Sequence, residues 1–204
     1  MEILEEVLEL QRVNRLAATL SSGLVCLRQV SEDDAEAILG AASHEEVLKT
    51  VAWEPHRTLE EFRRQIRLSR NLGWASRHVA NGQALGTVGL IELSPICAEV
   101  TFKFHQERWN SRPPLVNLQL VLDWAFTRFP MVTRIQARCF PTSVSSCHLL
   151  DTLGMRFEGV NRAMVKIRDD VFDLSSYAMT RQDWARKSGQ ENRWPIVDCD
   201  FVHI

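Results

Sequence analysis

The chain lacks an excess of either charge: Lys+Arg 24 against Asp+Glu 26 leaves a formal net charge of -2 over 204 residues. Without an overall positive field it is not expected to coat DNA, although a local basic patch remains compatible with that balance. It has no apolar run near the ~20 residues that a membrane-spanning helix needs. Its start, Met1-Glu2-Ile3-Leu4-Glu5-Glu6, is acidic where a secretory leader would be basic. The expectation is a cytoplasmic protein with no membrane partner. Cys-x-x-Cys pairs are missing as well: Cys26, Cys97, Cys139, Cys147 and Cys199 are odd in number and widely spread. A disulfide framework or zinc cluster is therefore not expected, no metal is implied, and most of these cysteines read as small core residues. Cys147 and His148 are adjacent, but consecutive helical residues do not face each other, which argues against a nucleophilic pair.

What is present is an ordinary globular composition, 45% hydrophobic and 25% charged, suited to one domain with one core. Ile3, Val7, Leu10, Ala17 and Leu20 share a helical stripe, and acidic residues crowd the first turns, so the spacing predicts an N-terminal helix over residues 1–20. Leu24 to Val30 reads as a strand. Ser31 with Asp34, and Thr58 with Glu61, have the spacing of capping boxes that open two helices. The second helix buries Leu59, Phe62 and Ile66 and carries Arg63, Arg64, Arg67 and Arg70 elsewhere. That arginine row is either a solvated face or a contact site for a polyanion.

From Trp74 the period changes to two. Strands are predicted over Trp74 to Ala80, Ala84 to Leu93 and Ala98 to Phe104, with Asn81-Gly82 as the strongest hairpin signal. In the third of these, Val100, Phe102 and Phe104 alternate with Glu99, Thr101 and Lys103, giving one apolar face and one that carries chemistry. Leu118, Val121, Leu122, Ala125 and Phe129 then mark an amphipathic helix with Pro114 in its first turn. Thr133 to Cys139 alternates again, which suggests a βαβ unit. Val144 to Leu153 reads as a helix closed by Gly154, and Met155 to Arg162 and Val171 to Thr180 as a final pair of strands. No clear period follows Arg181.

This order, with Leu27-Arg28, Leu85-Gly86-Thr87-Val88-Gly89-Leu90, Glu99, Trp109, Trp124-Ala125-Phe126, Ser145, Leu153-Gly154-Met155-Arg156-Phe157-Glu158-Gly159, Tyr177 and Asp183-Trp184, resembles the GNAT superfamily of N-acyltransferases. Within it the resemblance is to the branch of the ribosomal-protein N-terminal acetyltransferases. It implies an α/β fold with a mixed sheet of about seven strands flanked by helices and splayed between the fourth and fifth. By that resemblance residues 23–184 form the acyltransferase domain, with a helical extension over 1–22 and a tail over 185–204. One of the extensions is expected to pack on a second copy in a homodimer.

The resemblance further implies acetyl-CoA, or another acyl thioester, as co-substrate and an amine of a small molecule or peptide as acceptor. Its pantetheine arm would lie along Phe102, Lys103 and Phe104, and its diphosphate would meet Trp109, Asn110, Ser111, Arg112 and Leu115 at the start of the central helix. Relatives read Trp-Gly-x-Gly-x-Ala there. This chain reads Trp109-Asn110-Ser111-Arg112-Pro113-Pro114, so both glycines are gone and two prolines remove N–H donors. Three outcomes stay open: acetyl-CoA gripped by a remodelled loop, a donor without the diphosphate such as an acyl carrier protein or acylated tRNA docked on the Arg63 to Arg70 row, and a non-catalytic binding module. By the same resemblance Glu99 is the candidate catalytic carboxylate and Ser145 the candidate proton donor to the leaving thiolate. His105, and Trp53, Glu54, Pro55 and His56 in a loop near the acceptor side, are secondary candidates.

Overall fold

The computed structural model describes residues 18–42, 58–68, 71–105, 111–167 and 169–188. The predicted helix over 1–17, the loop with Trp53 to His56, Arg70, the site candidates Trp109 and Asn110, and the tail beyond 188 lie outside the described residues. In chain order the elements are β1 (Leu20–Ser21), β2 (Val25–Gln29), a 3-10 turn (Glu32–Asp34) leading into α1 (Ala35–Ala42), α2 (Leu59–Leu68), β3 (Leu72–His78), β4 (Ala84–Ser94) and β5 (Cys97–Phe104). After them come α3 (Arg112–Arg128), β6 (Arg134–Cys139), α4 (Val144–Leu153), β7 (Arg156–Ile167), β8 (Asp170–Thr180) and α5 (Arg181–Ser188). The strands form one 8-stranded sheet in the order β1-β2-β3-β4-β5-β6-β8-β7. Among the described strands only β5 and β6 pair in parallel, across the crossover through α3.

Two expectations change. Leu20 does not close a helix: it pairs with Leu27 across a short hairpin and is fully buried, because its side chain completes the core beneath β2. The stretch after Thr180 is helical where no period was legible, and Thr180 with Asp183 caps it reciprocally, through Thr180 N–H to Asp183 Oδ2 at 3.2 Å and Asp183 N–H to Thr180 Oγ1 at 3.1 Å. From that helix Arg181 reaches back to the end of α3, donating to the carbonyls of Phe126 (2.7 Å), Phe129 (2.6 Å) and Val132 (2.7 Å). A guanidinium there satisfies carbonyls that the helix leaves without partners and complements its negative end.

The β5 alternation sorts the sheet into two faces. Val100 and Phe104 join Trp74, Val88 and Leu90 under α3 in the main core, where Trp74 meets Trp124 edge-on at 5.3 Å. Glu99, Thr101 and Lys103 turn to the other face, in register with Ile91, Gly89 and Thr87 of β4. A smaller cluster of Ala35, Ile38 and Phe62 ties α1 to α2, and α1 packs on that second face over β4.

Gly86 sits at φ 149, where a built Cβ would lie 2.0 Å from the carbonyl oxygen of Lys103 and 2.7 Å from Cα of Phe104. The missing side chain is what lets β4 close on the end of β5. Gly86→Ala is expected to cost roughly 3 kcal/mol or more of folding stability, read by urea unfolding, because neither the φ nor the close approach tolerates a methyl group.

Candidate active site

The parallel pairing of β5 with β6 covers Cys97↔Arg134, Ala98↔Ile135 and Glu99↔Gln136 and then stops. Both strands continue, β5 to Phe104 and β6 to Cys139, each in register with its other neighbour. The sheet therefore forks after Glu99, and the fork is the slot that the alternating pattern alone did not reveal. Main-chain amides along one wall of such a slot are suited to an extended, amide-bearing chain.

Glu99 stands at the fork and is buried. Its Oε2 accepts from Gln136 Nε2 at 3.1 Å and from Arg138 Nη2 at 2.7 Å, so the carboxylate is tied to the β6 wall through two donors. Arg138 Nε is buried and has no hydrogen-bond partner. Neither Gln136 nor Arg138 was singled out from the sequence, although they alternate with Ile135 and Ala137 on the same face as the candidate carboxylate.

Beyond the parted ends of the two strands come two helix starts. Ser111 takes the N-cap position of α3, with Arg112 at the first helical position, followed by Pro113 and Pro114. Of the four amides that a helix leaves without intrahelical partners at its start, the two at the prolines do not exist. Arg112 is exposed and Leu115 half-buried. Deeper in the helix, fully buried Asn117 accepts from Ser76 Oγ at 2.9 Å while its Nδ2 has no partner. Its signal was an amide side chain, like Gln119, within the largely apolar stretch Leu115 to Leu122.

On the β6 side, α4 follows the end of the strand. Ser143 holds the N-cap and Ser145 lies in the first turn, half-buried. Close by, the sulfurs of Cys139 and Cys147 stand 3.6 Å apart, and burial together with Cys147 pushes the Tyr177 phenol and the Cys139 thiol up, so both are protonated at neutral pH.

The second face of β5 opens on a cleft between α1 and the sheet, lined by Asp34, Ile38, Arg77, Thr87, Lys103 and His105 among others. Asp34 is buried and held by a bidentate pair with Arg28 at 2.9 and 2.6 Å, by Arg77 at 3.5 Å and by the Ser31 N–H at 2.9 Å. Burial lowers the Lys103 ammonium from its ordinary 10.5 to about 7. Two arginines of the α2 row meet local carboxylates: Arg63 with Glu60 at 4.0 Å, and Arg67 with Glu32 at 3.7 Å and Glu60 at 3.9 Å.

The site is thus a forked sheet, with helix starts following both parted strands and a cleft on its second face. Comparison with known proteins gives this architecture its name. Residues 25–156 match the acetyltransferase (GNAT) domain family, and the chain belongs to it. The uncharacterised N-acetyltransferase YoaA of Bacillus subtilis (strain 168) is 24% identical over 171 residues, covering 79% of this chain and 96% of that protein. Among solved structures, a GNAT-family acetyltransferase from Bacillus anthracis superposes with a TM-score of 0.72 at 20% identity, covering 80% of this chain and 99% of that one. RimL, a ribosomal L7/L12 alpha-N-protein acetyltransferase in complex with coenzyme A, superposes with a TM-score of 0.69 at 14% identity, covering 78% and 96%. The α/β fold expected from the resemblance is the one observed, with β1 as an eighth strand. No helix among the described residues is long and apolar enough to cross a membrane.

A buried lysine with a lowered pKa destabilises the fold wherever it must carry its charge. The unfolded chain binds the extra proton between about 7 and 10.5, so this penalty is complete below 7 and fades as pH rises through that window. Lys103→Met is therefore expected to raise the melting temperature relative to the parent most at pH 6 and progressively less toward pH 10, measured by calorimetry across that range.

Proposed function

We propose that this protein transfers an acetyl group from acetyl-CoA to an amine of a small molecule or peptide that enters the cleft beneath α1. The observation that carries the reading is the end of β5–β6 pairing at Glu99↔Gln136. The pantetheine arm lies along Phe102, Lys103 and Phe104, and its amides take the place of the next strand. The diphosphate meets the stretch from Trp109 to Leu115, where Ser111 and Arg112 stand in for the backbone donors that a glycine-rich loop would offer; a guanidinium is a direct, bidentate partner for phosphate oxygens. Glu99, on the acceptor side of the fork, adds negative charge that attracts the amine in its ammonium form. Ser145, in the first turn of α4, supplies a proton to the departing thiolate, helped by the positive end of the helix.

A second reading is favoured by Pro113 and Pro114. A donor that presents pantetheine without adenosine diphosphate, such as an acidic acyl carrier protein, needs no anion cradle at α3. The two readings separate in a thermal-shift comparison of acetyl-CoA, acetyl-pantetheine and an acetylated carrier protein. With acetyl-CoA as donor, it stabilises the chain more than acetyl-pantetheine does, and Arg112→Ala abolishes that difference without changing the response to acetyl-pantetheine. Stabilisation by the carrier protein alone would establish the second reading, and no stabilisation by any of the three would leave a binding module without a donor site.

Glu99→Gln is expected to lower turnover at least ~10-fold through the acceptor side. It also lowers stability by roughly 1–3 kcal/mol, because Arg138 then faces a neutral amide in a buried setting. Turnover unchanged in the folded variant, measured by release of free coenzyme A, would leave Glu99 only the structural tie to β6.

A further inference from the structure

We propose that Lys103 is the general base of this acyl transfer, taking the proton from the acceptor ammonium in the cleft beneath α1. The inference deepens the acetyltransferase reading and rests on a thioester occupying the slot.

The placement comes from the strand. The main chain of Lys103 belongs to the stretch of β5 beyond the fork, the wall assigned to the donor arm, while the side chain shares the face of Glu99 and Thr101 and lines the cleft. One residue thus borders both substrates. Lys103 is in register with Thr87 of β4, and the charged or titratable groups facing the same cleft are Asp34 from the turn before α1, Arg77 from β3, and His105 from the end of its own strand.

The carboxylates nearby are committed elsewhere. Asp34 is gripped by Arg28, Arg77 and the Ser31 amide, and Glu99 by Arg138 and Gln136. To take a proton, either would have to give up a charged partner in a buried setting. Arg28 and Arg77 cannot act as bases at all, since a guanidinium stays protonated. Burial brings the Lys103 ammonium down to about 7, so its neutral form is accessible at physiological pH. Only four of the 24 basic residues are lysines: Lys49, Lys103, Lys166 and Lys187.

The chemistry balances without another reagent. The acceptor ammonium gives one proton to Lys103 Nζ, and the neutral nitrogen attacks the thioester carbonyl to form the C–N bond. As the C–S bond breaks, Ser145 gives its hydroxyl proton to the sulfur and takes up the second nitrogen-bound proton in return. The products are an amide, a free thiol and protonated Lys103, which returns its proton to solvent through the open cleft.

Two measurements test this. In protein labelled with 13C at lysine Cε, the resonance missing from Lys103→Arg identifies Lys103, and its titration midpoint is expected near 7. A midpoint within about one unit of the ordinary 10.5 overturns the proposal. In parallel, release of coenzyme A from acetyl-CoA is followed against a panel of amino acids, polyamines and short peptides over pH 5.5 to 9.5. In the parent, kcat/KM rises through pH 7. In Lys103→Met and Lys103→Arg it falls by about 10²–10³-fold and the rise disappears, whereas Glu99→Gln keeps it. Added ethylamine restores part of the activity of Lys103→Ala. Activity of Lys103→Met within about threefold of the parent, or an unchanged pH profile, overturns the base assignment. A parent that is not stabilised by acetyl-CoA and acetylates nothing in the panel overturns the donor reading instead, which the NMR midpoint tells apart.

Discussion

Two neighbouring strands part company after three registered pairs, and the site follows from that parting. β5 is bound to β4 along its length, from Ser94↔Cys97 to Gly86↔Phe104, and β6 is bound to β8 from Arg134↔Thr180 to Cys139↔Ser175. Each strand is held by its other neighbour, so the right-handed twist of the sheet has to be absorbed between them. Gly86 makes the choice firm on one side, since only a residue without Cβ permits β4 to approach Phe104 so closely. On the other side, α4 and the β7–β8 pair hold β6. What would be a defect in a closed sheet becomes a slot with hydrogen-bonding walls.

The same fork governs the electrostatics. On the face under α1, the structure buries or half-buries Arg28, Asp34, Arg77, Glu99, Lys103 and Arg138. Desolvation penalises the charged form of such groups, and pairing offsets that penalty. Asp34 and Glu99 are paired, each with more than one donor. Burial draws Lys103 toward the neutral form. The pairs hold the roof and the β6 wall in place, while the lysine keeps a proton site that responds near physiological pH.

Much of the framework was legible in the residues. Asn81-Gly82 marks its hairpin and Gly82 has φ 66. The capping spacing of Ser31 with Asp34 and of Thr58 with Glu61 is realised in both side-chain hydrogen bonds and helix starts, and Gly154 closes α4 at φ 85. The alternation in β5 assigned both faces correctly. Other features were not legible, because they depend on residues far apart in the chain. The partners of Glu99 come from a strand 37 residues later, and Arg181 was silent in the sequence because its ligands are carbonyls, which no residue pattern encodes. Leu20 read as helix because a stripe of apolar residues cannot tell a helix end from the start of a hairpin.

By itself, then, the sequence determined the order of strands and helices, the turn chemistry, the two faces of β5, the absence of glycine between Trp109 and Pro114 and the loss of backbone N–H donors at Pro113 and Pro114. These are local properties, written in side-chain alternation, capping spacing and backbone freedom. Only the tertiary structure decided where the sheet forks, that Glu99 is tied to Arg138, and that Lys103 lies half-buried in a cleft whose desolvation lowers its ammonium. A pKa is set by what surrounds a group, and the surroundings of Lys103 come from β3, β4 and the start of α1, which reach it only when the chain has folded.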